Sequence, residues 1–185
     1  MASSSITDRR PLPMAYDLVF DTKLSDTEGA NYYYLDVLRQ RASPRITSVS
    51  MRVDRGIGDF DSFRIVLMKF YPNLRRLKIV QNYSYGVAHT QTNFFDFILG
   101  VKLSEFIFED CQSRFMQDLA MRPADLLDRM PDSSTYEFTS GTSGTPMTQT
   151  FTSGTKTLIW TDLIDYANNK VPLKYYKYQQ SAIKN

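Results

Sequence analysis

A stretch rich in glycine, serine and threonine is the part of this sequence whose residue types first suggest chemistry. It runs from Tyr136 to Thr155 and reads YEFTSGTSGTPMTQTFTSGT. Glycines let a backbone approach a ligand closely, and backbone N–H groups together with Ser and Thr hydroxyls can surround phosphate oxygens. One hypothesis for this stretch is therefore a phosphate loop, which would make the chain a fragment of a nucleotide-using enzyme.

The first half of the stretch resembles the phosphate loop of the adenylate-forming enzymes, the acyl-CoA synthetases and their relatives. That loop reads Thr-Ser-Gly-Thr-Thr-Gly-x-Pro-Lys-Gly, and the matching residues here run from Thr139 to Thr148. The loop needs a cation for the phosphates, but Met147 stands in place of the Lys and Thr148 in place of the last Gly. The catalytic domain of that family is also several times longer than this chain. We interpret the resemblance as coincidental and expect no ATP binding.

The same residues are better explained as turns between short strands. The pentapeptide FTSGT occurs twice, at residues 138–142 and 151–155. Gly and Pro are turn formers, and the Thr and Phe residues between them suit strands. The segments STYEFTS, MTQTFTS and KTLIWTD therefore predict a small antiparallel β meander.

Other chemistry-bearing residues have no partner that the sequence identifies. His89 and Cys111 are the only histidine and the only cysteine, so a Cys/His zinc cluster is excluded. A catalytic base or nucleophile needs an oriented partner, and the sequence identifies no such partner for either residue. The neighbouring acids Glu109 and Asp110 likewise lack identifiable partner carboxylates. We predict that the protein is not an enzyme and holds no cofactor or metal.

Composition limits the class of protein further. The 185 residues suit one domain, and a net charge of +2 from 22 basic and 20 acidic residues gives no strong field. The N-terminus has no apolar signal region, and no run of 18 apolar residues occurs, so we expect no membrane association. A single cysteine excludes an intramolecular disulfide and favours a reducing compartment. We expect a cytoplasmic or nuclear location, or both.

Six short segments carry apolar residues two positions apart, as strands with one buried face do. The pairs are Leu18/Phe20, Val49/Met51, Leu77/Ile79, Phe106/Phe108, Tyr136/Phe138 and Leu158/Trp160. Their first members are separated by 31, 28, 29, 30 and 22 residues. Helical patterns lie between them, for example DFDSFRIVLMKF, in which Asp59 is a predicted N-cap. The pattern predicts repeated βα units.

The segment YPNLRRLKIVQN, Tyr71 to Asn82, resembles a leucine-rich repeat of the longer, helix-containing kind found in F-box-type adaptor proteins. The resemblance covers Tyr16 to about Trp160 and is most specific in this third unit. It implies an α/β fold in which a parallel sheet carries helices on one side and the antiparallel meander ends the stack. It also implies a non-enzymatic scaffold or adaptor of the kind that belongs to a multi-subunit complex. A compact α/β or α+β fold is the alternative.

The predicted organisation has three parts: a disordered lead-in at residues 1–13, a βα-repeat domain at 14–165, and a basic, aromatic tail at 166–185. In a repeat stack, the residues that alternate with the buried pairs face the concave side of the sheet. Their mixed signs and scattered isoleucines favour a protein partner. The predicted partner-binding residues are Arg52, Arg76, Lys78, Glu105, Ile107, Glu109 and Glu137.

The alternative function is a nucleic-acid-binding module, with RNA as the ligand. Lys residues interleaved with aromatics can contact phosphates and stack on bases. The tail residues with this character are Lys174, Tyr175, Tyr176, Lys177 and Tyr178, and Arg75, Arg76 and Lys78 would add to the basic surface.

Overall fold

The structure is a computed structural model that describes residues 16–22, 33–53, 57, 59–81, 91–110, 123–141 and 144–164. The predicted lead-in, His89, Cys111 and the predicted tail lie outside the described residues. Strands and helices alternate as far as the fifth strand. In chain order the elements are β1 (Tyr16–Thr22), α1 (Tyr33–Gln40), β2 (Ile46–Val53), α2 (Phe60–Phe70), β3 (Arg76–Gln81), α3 (Gln91–Val101), β4 (Glu105–Asp110), α4 (Pro123–Arg129), β5 (Thr135–Ser140), β6 (Thr145–Ser153) and β7 (Lys156–Ile164).

The strands form one seven-stranded sheet in the order β1-β2-β3-β4-β5-β7-β6. β1 to β5 are parallel neighbours in chain order, β7 is parallel to β5, and β6 is antiparallel to β7 at the edge. A helix connects each pair of successive parallel strands from β1 to β5, as a parallel crossover requires. The predicted α/β class, with a mostly parallel sheet and a terminal antiparallel pair, is confirmed.

The six predicted apolar pairs form two continuous rows across one face of the sheet. One row is Leu18, Val49, Leu77, Phe106, Tyr136 and Leu158, and the other is Phe20, Met51, Ile79, Phe108, Phe138 and Trp160. From β2 to β7 the residues of both rows are buried. Because successive strand residues point to opposite faces, the remaining residues form the second face, which is half-buried to exposed from β2 to β7. We call these the core face and the open face.

The helices cover the core face with aromatic side chains. Phe60 and Phe63 of α2 and Phe94 and Phe97 of α3 are buried and belong to the same cluster as the strand residues. The rings of Phe63 and Phe97 are stacked with centroids 4.9 Å apart, and those of Phe94 and the strand residue Phe108 are 5.1 Å apart. Full burial of such a side chain contributes about 1.5–3 kcal/mol, so this layer accounts for much of the fold's stability.

The start of α2 is held by the predicted cap. The Asp59 carboxylate accepts hydrogen bonds from the Ser62 backbone N–H at 3.0 Å and from the Ser62 hydroxyl at 2.6 Å. These bonds favour the charged form, so they lower the pKa of Asp59 below its ordinary value. The short helix α4 begins at the predicted Pro123 and ends at Arg129, before Pro131.

Hydrogen bonds from side chains connect neighbouring βα units at several points. The buried Tyr71 hydroxyl donates to the Leu38 carbonyl at 2.6 Å, and Asn73 Nδ2 donates to the Pro44 carbonyl at 2.8 Å. Burial raises the pKa of Tyr71 to about 12, an effect that the nearby Arg41 charge partly opposes. The hydroxyl of Tyr136 lies 3.3 Å from the Ile98 carbonyl, and burial raises the pKa of Tyr136 as well.

The end of the sheet differs from the predicted meander in its strand order. β6 and β7 form the expected antiparallel pair, but β7 lies between β5 and β6 and is parallel to β5. The three strands therefore do not follow one another across the sheet. The physical reason is burial: β7 supplies the buried Leu158 and Trp160 to the core, whereas β6 is exposed or half-buried along its length and occupies the edge.

Candidate functional site

The open face brings the predicted partner-binding residues together on four adjacent strands. Strand register places them in three rows that cross the sheet at right angles to the strands. The rows are Asp17, Ser48, Arg76, Glu105, Thr135, Thr157 and Thr152; then Val19, Ser50, Lys78, Ile107, Glu137, Ile159 and Thr150; then Asp21, Arg52, Val80, Glu109, Thr139, Thr161 and Thr148. All seven predicted residues lie within these rows.

Two ion pairs connect β3 to β4 on the open face. Arg76 Nε lies 3.1 Å from Glu105 Oε2, and Lys78 Nζ lies 2.7 Å from Glu109 Oε1. All four side chains are between 35% and 52% exposed, so each pair contributes only about 0.2–1 kcal/mol to stability. The basic side chains of β3 thus neutralise acidic side chains of β4. Their pairing means that the middle of the face carries little net charge of either sign.

Glu137 has a different environment in the second row. It is half-buried on β5, and its neighbours in register are Ile107 of β4 and Ile159 of β7, both also half-buried. Among the described residues, no ion pair or hydrogen bond involves the Glu137 side chain. The open face therefore presents a carboxylate between two isoleucines.

The remaining part of the open face, on β5, β7 and β6, is rich in threonine. Every position of the first and third rows on these strands is Thr, and the hydroxyl oxygens of Thr148 and Thr161 are 3.0 Å apart. The predicted contact face did not include β6, because that strand carries no apolar pair of the kind that marked the other six strands. Ile159 alternates with the buried pair Leu158/Trp160 and so faces the open side, but it is not among the predicted contacts. Its position beside Glu137 is evident only from the register.

The glycine-rich stretch forms turns around β6. Gly141, Gly144 and Gly154 have φ values of 95°, 131° and 58°, which favour glycine. A Cβ atom at position 141 would lie 2.8 Å from the Leu163 carbonyl oxygen, so this turn also requires a small residue. The Ser140 hydroxyl donates to Asp162 at 2.6 Å and is buried. The stretch leads into a strand rather than into a helix N-terminus, the arrangement that commonly binds phosphate.

No three His, Cys, Asp or Glu residues in the described part of the chain are grouped as ligands of a metal ion. No described helix combines the length and the apolar character needed to cross a membrane. Of the paired acids, Glu109 is bound to Lys78, and Asp110 ends β4 at the carboxyl edge of the sheet.

Comparison with known proteins found no match: no protein-family model, no curated protein and no solved structure is similar to this chain at a significant level. The resemblance to leucine-rich repeats therefore stays a prediction. The geometry of the open face is the structural feature that bears on function.

Proposed function

We propose that this protein is a non-enzymatic interaction module that binds a protein partner through the open face of its sheet. In this role it would act as a scaffold or adaptor, in the cytoplasm or the nucleus. Protein interfaces combine apolar and polar groups and have few charges at their centre. The open face has that character, because its charged side chains on β3 and β4 form two ion pairs and the rest of the face carries two isoleucines and many threonines.

The observation that carries the proposal is the position of Glu137 between Ile107 and Ile159. A partner that covers this row would bury apolar surface on both sides and would remove water from the carboxylate. Burial of an uncompensated charge costs several kcal/mol, so a matching partner must supply a cation. We therefore expect the partner to present Lys or Arg in an apolar surrounding.

The alternative of RNA binding is less well supported by the same surface. Arg76 and Lys78 are paired with glutamates, and an Arg75 guanidinium nitrogen donates to the Leu74 carbonyl at 2.9 Å. Three glutamates on β4 and β5 would also repel phosphates. The tail residues that belong to this alternative lie outside the described part of the chain.

A pulldown with mass spectrometry, with and without nuclease, would identify the partner, and point variants would then locate the contact. Glu137→Lys should weaken binding at least about tenfold, because it sets like charge against the partner's cation. Asp96→Lys is the matched control: it makes the same charge change on an exposed residue of α3, on the helical side, and should leave affinity unchanged. The ion pair that it removes, with Arg129 at 4.0 Å, is exposed and lies away from the open face.

Glu137 is a cleaner test position than Arg76 or Lys78, since reversal of either basic residue would also break an ion pair within the face. Circular dichroism would show that the variants remain folded. Release of the bound material by nuclease would support the RNA alternative. If Glu137→Lys binds normally and deletion of residues 166–185 abolishes binding, recognition lies in the tail and the open-face proposal is wrong.

A further inference from the structure

The two edge strands of the described sheet differ in charge. β6 is nine residues long and pairs with β7 alone among the described strands. It contains no Lys, Arg, Asp or Glu, and its side chains are exposed or half-buried. At the other edge, β1 carries Asp17 and Asp21. Charges on an edge strand discourage the addition of another strand, and a long uncharged edge invites it.

The turn between β6 and β7 determines which backbone groups of β6 face outward. Ser153 pairs with Lys156 across the two turn residues Gly154 and Thr155. In a two-residue hairpin, the residues that flank the turn form a hydrogen-bonded pair, and hydrogen-bonded pairs then recur at every second residue. Residues 153, 151 and 149 therefore direct their backbone groups toward β7. Residues 152, 150 and 148 direct their N–H and C=O groups away from the sheet.

These three outward residues form a symmetric set. On one side they are bounded by Pro146, which occupies the next outward position and has no N–H group to donate. On the other side they are bounded by the turn at Gly154. Thr150 lies midway between the two limits, and Thr148 and Thr152 lie at equal distances from it along the strand.

We propose that a second copy of this chain adds to the sheet along β6, antiparallel and around a two-fold axis at Thr150. Thr150 then lies opposite its counterpart, and Thr148 lies opposite Thr152 of the second copy. Each of these pairs exchanges two backbone hydrogen bonds. The open faces of the two copies become continuous, with threonine opposite threonine at every hydrogen-bonded position.

Side chains on the core face favour the same pairing. Phe151 is half-buried against the core at the edge of the sheet. In the proposed register, Phe151 lies opposite Gln149 of the second copy, and the two Phe151 residues become diagonal neighbours. Aromatic side chains reach one another at that diagonal spacing, so association covers the exposed part of both rings.

Charge explains why this edge rather than β1 joins two copies. Antiparallel pairing of β1 around its midpoint, Val19, would set Asp17 opposite Asp21, and like charges in opposite positions are destabilising. The same operation on β6 brings no charges together. Pairing along a few residues buries less than the roughly 1,200–2,000 Å² of a stable interface, so the dimer forms reversibly and depends on concentration.

Sedimentation velocity on the full chain, over a wide range of concentration, tests this proposal. Thr150→Lys and Thr150→Glu should each weaken self-association at least about fivefold, because residue 150 lies opposite itself. An equimolar mixture of the two variants should recover association, since Lys then lies opposite Glu. The matched control Thr139→Lys, on β5 of the same open face, should dimerise like the unaltered protein.

A chain that stays monomeric at every concentration overturns the proposal, and so does a dimer that neither variant weakens. Weakening by both variants without recovery in the mixture overturns the two-fold register. Hydrogen exchange gives an independent readout: backbone N–H exchange at Thr148, Thr150 and Thr152 should slow as concentration rises. Exchange at Gln149 and Phe151 should be slow throughout. A dimer with concentration-independent exchange at the three threonines uses another surface.

Discussion

The two faces of the sheet are formed by the same strands in the same register, but they serve different purposes. On the core face, the two rows of apolar residues from β2 to β7 meet the aromatic side chains of the helices and are almost fully buried. On the open face, the intervening residues form half-exposed ion pairs, isoleucine contacts and threonine rows. This difference indicates that the interactions that stabilise the fold are concentrated on the core face. The other face can vary its chemistry with little loss of stability.

The largest expected effect comes from removing a core-face side chain. Leu77→Ala should lower the free energy of unfolding by about 2–5 kcal/mol, because Leu77 is fully buried on β3, an interior strand of the sheet, and its truncation leaves a cavity. Arg76→Ala, one residue away on the open face, should lower it by less than about 1 kcal/mol. Urea unfolding of both variants measures the two values, and equal losses would disprove the assignment of the faces.

An intermediate effect on stability is expected at Tyr71, the buried residue that follows α2. Tyr71→Phe removes the hydrogen bond to the Leu38 carbonyl and should destabilise the protein by about 0.5–1.5 kcal/mol at neutral pH.

The pH dependence of this variant has a defined sign. Burial raises the pKa of Tyr71 to about 12, above its ordinary value of 10.0. Between these pH values the folded protein retains a proton that the unfolded chain has lost, so stability falls as pH rises from 10 to 12. Thermal unfolding should show this decline, and Tyr71→Phe should make it shallower. An unchanged slope would show that Tyr71 ionises equally in both states.

The smallest effect is expected for the ion pairs of the open face. A double-mutant cycle with Arg76→Ala and Glu105→Ala should give a coupling free energy of about 0.2–1 kcal/mol, because both side chains are partly exposed to water. Added salt should reduce this coupling through screening. A coupling above about 2 kcal/mol that resists salt would mean that the open face is dry and contributes to folding, contrary to the contrast between the faces.

Local sequence patterns were sufficient to predict much of the fold. The apolar residues two apart, from Leu18/Phe20 to Leu158/Trp160, identified six of the seven strands and the face that each buries. Asp59 and Pro123 marked helix starts, because caps and first-turn prolines act within a few residues along the chain. The seven candidate contact residues were placed on one face for the same reason: alternation in a strand is a local property.

Only the tertiary structure decided which strands and side chains are neighbours. β7 lies between β5 and β6 because its apolar residues complete the core. The pair Leu158/Trp160 marks β7 as a core strand, but the turn residues alone predict a simple meander with β6 beside β5. The same holds for the pairing of Lys78 with Glu109 and for the position of Glu137 between two isoleucines. The sequence by itself determined which way each side chain faces, since that depends on backbone geometry. Which side chains lie beside one another on neighbouring strands depends on long-range packing of the whole chain. That packing determines both the nearly neutral centre of the open face and the uncharged edge strand.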